Sequence, residues 1–419
     1  MILLEQITLN NNLPIFHLKS SNLGEQVNIT VWFRVGSRND KEGKFGAAHL
    51  IEHSMLRILI NKNIDLKEYL LKNALEYKIL TSIDFILLRF ICTKTKSLTI
   101  LHDIKKAFDE VKIKPDVFNQ EKALVENEIA IKMGTQSKQY FDTLRENIWS
   151  SNLGHPILGN SLDIQSINVR EITDTIQWLW NKKKFFVLYT GDLSLQQFQI
   201  TFNPSVSSVG SNHLTDFPLV PAKKATIRKS SMELNIPEYT TLNVSLIYPL
   251  ENKVMEKNAL LMTLLSRLIA FGDMGFLSKA LRTGESPLYY VMAFPFSFQF
   301  ENVLIVNFIA KHEQVSQIID STQTAIHNLN SNLEKVSQYF DIVKKGFVND
   351  ISKAQRSDFD AMNYIGQALI YNHRVNRLSE TTKEINSIDI EMIENFSKTV
   401  FSTDQPMYFI AGGEEMSYE

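Results

Sequence analysis

Hydrophobic and polar residues follow two different periods along this chain, and the two periods predict its strands and helices. Runs of β-branched and aromatic residues predict strands at 27–35, 83–93, 185–189, 242–248 and 303–310. Apolar residues three and four positions apart predict helices at 47–59, 66–75, 97–111, 117–133, 259–270, 315–329, 333–354 and 388–398. The mixture of the two kinds of element predicts an α+β fold.

The chain divides into two halves at a segment that is rich in proline. Residues 203–221 contain Pro204, Gly210, Pro218 and Pro221 and show no helical period, as is typical of a linker. We therefore expect one domain at 1–202 and another at 222–419, each long enough to bury its own core. Both halves mix strands and helices in a similar order, which favours an internal duplication.

The segment 45–60 is apolar nearly all round and still carries three ionisable residues, His49, Glu52 and His53. Side chains four apart lie on one face of a helix, about 6 Å from each other, so both imidazoles can reach one metal ion. Glu52 lies on the adjoining part of that face, where it can accept a proton from water. Burying three such groups unpaired costs several kcal/mol, and a metal ion removes that cost. This His-x-x-Glu-His order is the inverzincin pattern.

A third ligand is offered by the predicted helix at 117–133. Its residues Glu121 and Glu128 are seven positions apart and so share one face, whereas Glu126 lies elsewhere on the helix. Two imidazole nitrogens and one carboxylate oxygen form the ligand set that zinc prefers in sites that keep an open position for water.

At these residues the chain resembles the M16 family of zinc peptidases, in which the same motif is followed some 75 residues later by a ligand glutamate. The resemblance covers roughly residues 1–200 and extends to four further stretches: Gly46-Ala47-Ala48-His49, Thr81-Ser82-Ile83-Asp84, Gly154-His155-Pro156-Ile157-Leu158-Gly159 and Tyr189-Thr190-Gly191-Asp192. It implies that His49, His53 and Glu128 bind Zn²⁺, that Glu52 is the general base, and that Glu121 is an auxiliary catalytic carboxylate. It also implies two similar domains, each a mostly antiparallel sheet backed by helices, which form half of a clam-shaped chamber.

A second family motif occurs in the other half of the chain. Residues 274–282 resemble the family's helix that ends in arginine, and residues 287–291 resemble the Leu-x-Tyr-x-Val stretch that follows it. The resemblance implies that Arg282 and a tyrosine bind the substrate backbone and the developing oxyanion, for which both are good donors. Spacing favours Tyr289 and the local pattern favours Tyr290. The alternative is an arginine at a helix end followed by core tyrosines.

Composition narrows the function further. A net charge of −2 gives no reason to expect nucleic acid or an anionic membrane as a partner. The single cysteine, Cys92, excludes an intramolecular disulfide and lies in an apolar run, which indicates a buried thiol rather than a nucleophile. The start of the chain shows no signal-peptide pattern and no apolar stretch is long enough to span a bilayer, so we expect a cytoplasmic protein.

The sequence departs from the family before the Thr-Ser strand, where Lys78 replaces the usual asparagine and the glycines are absent. An edge strand pairs with a peptide through its backbone, so binding survives this change, and the lysine suggests a cleft that accepts acidic residues.

Three functions are compatible with the sequence: an active zinc endopeptidase on short or unfolded peptides, a peptide-binding subunit that lacks catalysis, and a metal-binding protein outside the proteases. The complete set of ligands and base favours the endopeptidase. Because the chain carries both family motifs, we expect a homodimer that encloses a peptide substrate, with a heterodimer of related chains as the alternative.

Overall fold

A computed structural model describes residues 3–9, 13–19, 24–133, 136–149, 151–202, 219–227, 232–235, 241–270, 275–282, 288, 290–329, 333–354, 358–371, 378–402 and 406–412. The strands of this part of the chain are β1 (Leu3–Thr8), β2 (Pro14–Lys19), β3 (Gln26–Phe33), β4 (Glu76–Thr81), β5 (Ile86–Thr93), β6 (Phe185–Thr190), β7 (Met232–Asn235), β8 (Leu242–Leu250), β9 (Val291–Ser297), β10 (Asn302–Ala310) and β11 (Met407–Gly412).

The α-helices of the described residues are α1 (Ala47–Met55), α2 (Leu66–Asn73), α3 (Lys94–Asp109), α4 (Pro115–Met133), α5 (Gln136–Ile148), α6 (Ser161–Ser166), α7 (Val169–Asn181), α8 (Leu195–Phe202), α9 (Asn252–Ala270), α10 (Phe276–Arg282), α11 (Val315–His327), α12 (Leu333–Ala354), α13 (Asp358–Ile370), α14 (Leu378–Ser387) and α15 (Ile390–Val400). The strands form two sheets, and helices pack against both sheets. This arrangement confirms the predicted α+β class.

The two sheets share one topology. The first has the strand order β1-β2-β6-β3-β5-β4 and the second has the order β7-β11-β8-β10-β9. Strands β2 to β6 correspond in chain order to strands β7 to β11, and each corresponding pair runs in the same sense: β2 with β6 and β7 with β11 are parallel, and the other shared pairs are antiparallel. The sheets are therefore mostly antiparallel and repeat one five-strand pattern, as an internal duplication predicts.

The chain folds into two compact units, and each unit includes a segment that lies, in sequence, within the other unit. Unit 1 comprises Met1–Gly134, Ser151–Lys223 and Arg356–Val375, and unit 2 comprises Thr135–Ser150, Lys224–Gln355 and Asn376–Glu419. Helix α5 thus belongs to unit 2 and helix α13 belongs to unit 1. The predicted domains, 1–202 and 222–419, are continuous in sequence and do not include these two inserted segments. Most of the predicted linker lies outside the described residues.

Unit 1 buries both faces of its sheet. On β3, Val27, Ile29, Val31 and Phe33 belong to a core that also includes residues of α1, α3 and α7. Trp32 points to the opposite face and packs with Ala361, Met362 and Ile365 of α13. Burial on both faces explains why β3 lacks a simple alternation of polar and apolar residues.

Glycine is required where α13 crosses this second face. A Cβ atom at Gly366 would lie 2.1 Å from the Trp32 ring, so only a residue without a side chain permits the observed approach. This contact fixes the position of the helix on the sheet.

Unit 2 has its own core. It is formed by β8 and β10 together with residues of α9, α10, α11, α12 and α15. Helix α9 begins at Asn252, earlier than the predicted 259, and has a non-helical kink at Asn258. The kink divides the helix, and the sequence pattern predicted only the apolar part that follows it.

Candidate metal centre

Helix α1 places three chemically active side chains on neighbouring turns. His49, Glu52 and His53 lie within Ala47–Met55, whose residues are nearly all buried. The helix ends earlier than the predicted residue 59, because Arg57 N and Ile58 N bond to the carbonyls of Ser54 and Met55 in tighter turns.

The N-terminus of α1 is capped by a residue outside the helix. Its N-cap is Gly46, with φ of +92°, and a glycine side chain cannot cap. Instead, the Asp40 carboxylate accepts hydrogen bonds from Gly46 N and Ala48 N, each at 2.8 Å. These bonds satisfy amide groups that the first turn leaves unpaired. Burial raises the pKa of Asp40, and the two hydrogen bonds oppose that rise.

His155 lies beside Asp40, with Nε2 3.7 Å from a carboxylate oxygen. Its two ring nitrogens face carbonyl oxygens, Nδ1 at 2.7 Å from Pro156 and Nε2 at 2.8 Å from Ser37. A neutral ring has one N–H and donates to one of these carbonyls, so the contacts hold the imidazole between the two carbonyls and Asp40. The stretch Gly154-His155-Pro156 therefore contacts the loop that caps the N-terminus of α1.

Helix α4 brings two glutamates to the histidines. Glu128 Oε2 lies 3.1 Å from His49 Nε2, and Glu128 Oε1 lies 3.6 Å from His53 Nε2. One candidate ligand atom from each of these three residues falls within 4.8 Å of the others. The spacing of seven residues between Glu121 and Glu128 thus places both carboxylates against α1.

Each imidazole also contacts a second carboxylate through Nδ1. His49 Nδ1 lies 3.2 Å from Glu52 Oε2, and His53 Nδ1 lies 3.0 Å from Glu121 Oε2. A ring that donates from Nδ1 presents a bare lone pair at Nε2, and in both rings Nε2 faces Glu128. Lone pairs that face a carboxylate repel it unless a cation lies among them, so the arrangement fits a metal ion.

Glu52 is held ready to accept a proton. Burial alone would raise the pKa of Glu52, but hydrogen bonds from His49 and Thr81 and the charge of His53 bring it below its ordinary value. Thr81 ends β4, the edge strand, and its hydroxyl also lies 3.4 Å from the carbonyl of Ala48. The carboxylate is therefore ionised near neutral pH.

The other predicted site residues are described only in part. Arg282 ends α10, but its side chain and all of Tyr289 lie outside the described residues. Tyr290 is 43% exposed. Cys92 is buried in the unit 1 core, where burial raises the pKa of its thiol to about 12, as expected for a thiol that is not a nucleophile.

Sequence reasoning missed Arg57, which contacts both Glu121 and Asp65. Arg57 lies in the turn after α1, beyond the end of the helix, so no helical period predicts these contacts. Sequence reasoning also missed the capping role of Asp40, which no local pattern reveals because the capped amides follow six and eight residues later.

Two family models match the chain. One, described as insulinase (peptidase family M16), matches residues 16–161, and the other, described as the peptidase M16 inactive domain, matches residues 166–340. Together they span more than half of the 419 residues, and the chain belongs to peptidase family M16. The site residues of α1 and α4 fall within the first match. No curated protein matches the sequence.

Solved structures share the fold across the whole chain. A protease from Helicobacter pylori is 17% identical, with a TM-score of 0.81 over 98% of this chain and 100% of that one. An M16-like peptidase from Alicyclobacillus acidocaldarius is 12% identical, with a TM-score of 0.78 over 98% of each chain. A peptidase M16 inactive domain from Pseudomonas fluorescens is 13% identical, with a TM-score of 0.77 over 99% of each. At these identities the likeness concerns the fold.

Among the described residues, no helix combines the length and the apolar composition that crossing a membrane requires.

Proposed function

We propose that this chain is a zinc-dependent endopeptidase that cleaves short or unfolded peptides. One observation carries the proposal: His49, His53 and Glu128 converge on one point while Glu52 and Glu121 engage the far nitrogens of both rings. Membership of the M16 family supports the same reaction class.

The residues fit zinc by type and by number. His49 and His53 would bind through nitrogen and Glu128 through oxygen, which is the donor set zinc prefers. Three protein ligands are typical of catalytic zinc sites, whereas structural sites close the shell with a fourth. The Glu128 side chain is 46% exposed, so this side of the site is open to solvent.

A bound zinc ion supplies a Lewis acid that polarises the scissile carbonyl and makes water more acidic. Glu52 accepts the proton of the attacking water, and its lowered pKa keeps it in the basic form. The same carboxyl group then delivers that proton to the leaving amine. His49 orients Glu52 through the 3.2 Å contact at Nδ1.

Strand β4 is suited to hold an extended peptide beside the site. It is the last strand of its sheet, so its outer N–H and C=O groups are available for pairing. Thr81 connects the strand to Glu52 and to the carbonyl of Ala48. Lys78 on the same strand is exposed, which supports a preference for acidic residues in the substrate.

A homodimer completes the proposal. Family resemblance suggests that two chains enclose the substrate and that Arg282 and a tyrosine of one chain act with the zinc site of the other. One chain carries both sets of residues, so a single gene product suffices, and a related second chain is the alternative.

Replacement of Glu52 by glutamine tests the proposal most directly. The amide keeps the shape of the side chain and removes the proton acceptor, so Glu52→Gln is expected to retain zinc and peptide while turnover falls by several orders of magnitude. Digestion of a peptide library, read by mass spectrometry, measures turnover, and metal analysis measures zinc. Glu126→Gln on α4 is the matched control. Near wild-type cleavage by Glu52→Gln would exclude Glu52 as the base, and a wild-type protein that binds zinc and cleaves no peptide would favour a non-catalytic subunit.

A further inference from the structure

Arg57 lies between two carboxylates on the side of the site away from the metal ligands. Its Nε is 3.3 Å from Glu121 Oε1, and its Nη1 is 3.1 Å from Asp65 Oδ2. The three side chains are shielded from water, with 20%, 9% and 16% of the surfaces of Arg57, Glu121 and Asp65 exposed. Shielding of this kind strengthens attraction between charges relative to the protein surface.

The attraction between Arg57 and Glu121 is electrostatic. Arg57 Nε is buried and makes no hydrogen bond within the described part of the chain, so its short distance to Glu121 reflects charge rather than an aligned donor. Lys67 adds positive charge nearby. Burial opposes ionisation of Glu121, but the hydrogen bond from His53 and the charges of His53, Arg57 and Lys67 nevertheless lower its pKa.

Glu121 uses its two oxygens for two partners. Oε2 receives the N–H of His53 Nδ1 at 3.0 Å, while Oε1 faces Arg57. A glutamate side chain has several rotatable bonds, and a bond to His53 alone leaves the carboxylate free to turn. The charge of Arg57 beside the other oxygen opposes this rotation.

The orientation of Glu121 favours one tautomer of the His53 ring. When Nδ1 donates to Glu121, the proton is on Nδ1 and the lone pair is on Nε2, which is 3.6 Å from Glu128 Oε1. Partners outside the ligand shell commonly set metal affinity in this way, by selecting the tautomer and raising ligand basicity.

We propose that Arg57 is a positioning residue of the metal site, which through Glu121 holds His53 in the tautomer that binds zinc. The inference rests on the proposed zinc function and deepens it. Asp65 in turn holds Arg57 and also caps α2, since its Oδ1 accepts a hydrogen bond from Glu68 N at 2.9 Å. The chain Asp65, Arg57, Glu121, His53 thus connects the start of α2 to the metal helix.

A purely structural ion pair makes a different prediction. If Arg57 only attached the turn after α1 to α2, its loss would lower the stability of the fold. Zinc affinity would then depend on Glu121 and would not change when Arg57 is replaced. The positioning role requires instead that the effects of Arg57 and Glu121 on zinc affinity are coupled.

The zinc Kd of the full chain, measured by competition with a chelator, provides the test. Arg57→Gln is expected to weaken zinc binding about tenfold to a hundredfold, in line with the loss of other outer partners of metal ligands. Arg57→Lys is expected to recover part of the affinity, because it keeps the charge. Asp65→Asn keeps the helix cap and removes the charge, so a smaller weakening is expected. Arg170→Gln, at an exposed arginine of α7, is the control and should leave Kd unchanged.

A double variant distinguishes the two roles, because it shows whether the effects of Arg57 and Glu121 on zinc affinity are coupled. In a Glu121→Gln background, Arg57→Gln should change Kd little further. Equal effects of Arg57→Gln in both backgrounds, or a Kd within about twofold of wild type for Arg57→Gln alone, would overturn the proposal.

A second readout does not depend on zinc. Histidines labelled with ¹⁵N report ring tautomers by NMR in the metal-free protein, and a His53→Asn variant assigns the His53 signals. In alkaline solution, where the ring is neutral, the Nδ1–H form should dominate in the wild type and lose population in Arg57→Gln. A wild type that binds no zinc would refute the proposed function, and the tautomer comparison would still decide the role of Arg57. An unchanged tautomer would overturn it.

Discussion

Asp40 accepts a hydrogen bond from the backbone N–H of Ala48, the residue directly before the first histidine of the candidate metal centre. A second bond from Gly46 N fixes the same carboxylate, which is completely buried. The start of the helix that carries His49, Glu52 and His53 is therefore held by a side chain from the preceding loop.

Asp40→Ala should destabilise unit 1 strongly. It leaves two buried amides and the His155 ring without their carboxylate, at a cost of about 3 kcal/mol. Denaturant titration of the full chain measures the change. Asp40→Asn keeps one acceptor oxygen, so its midpoint should fall between those of alanine and wild type. Equal stability of the alanine variant and wild type would contradict the capping role.

Glu128→Ala should abolish zinc binding, because two imidazoles alone hold zinc poorly. Metal analysis after purification is expected to give about one zinc per chain in the wild type and almost none in the variant. Glu126→Ala makes the same substitution on another face of α4 and should retain zinc. Full occupancy in Glu128→Ala would remove this residue from the ligand set.

Zinc affinity should fall as the pH is lowered. Burial lowers the pKa of His53, but contacts with Glu121, Glu52 and Glu128 outweigh it and raise the pKa above its usual 6.5. A proton on the ring excludes metal, so competition begins above pH 6.5 and grows in acid. Chelator competition at several values between about pH 6 and about pH 8 measures the effect. Glu121→Gln removes one cause of the rise and should shift the loss to lower pH. A flat profile in the wild type would contradict the assignment.

Two glycines provide a matched pair of substitutions that test how closely their helices pack. Gly366→Ala drives a methyl group into the Trp32 ring and should destabilise unit 1 by about 2–3 kcal/mol. Gly346 lies within α12, where an added Cβ atom would have no neighbour within 4 Å. Gly346→Ala should therefore stabilise unit 2 by about 0.5–1 kcal/mol. Calorimetric unfolding of each variant against the wild type gives both signs, and destabilisation by both substitutions would indicate a general intolerance rather than the contact with Trp32.

Mixing two inactive variants tests the proposed homodimer. In a dimer of one Glu52→Gln chain and one Arg282→Ala chain, one composite site carries both lesions and the other carries neither. Activity should return on mixing, to at most about a quarter of wild type for random exchange. Mass spectrometry of tagged chains must show that exchange occurs. Mixed dimers that remain inactive would contradict a site shared between chains.

The residues of the candidate ligand set were predicted to lie together from the sequence, because their placement depends on local periodicity. A separation of four residues in α1 and one of seven in α4 each place two side chains on one helical face, whatever the helix packs against. The same reasoning predicted β3, β5, β6, β8 and β10, which carry dense runs of apolar residues. Strands β1, β2, β4, β7, β9 and β11 escaped it, because short edge or mixed strands carry weaker patterns.

Relationships between distant residues were decided by the tertiary structure alone. The amide groups that Asp40 caps, the approach of α13 to Trp32, and the pairing of Arg57 with Glu121 depend on where separate elements meet in space. No local period records such meetings, since they follow from the packing of whole elements. The sequence by itself thus determined the chemistry of the candidate site and the repeated α+β pattern, and folding determined which carboxylates orient each histidine and which segments the two units exchange.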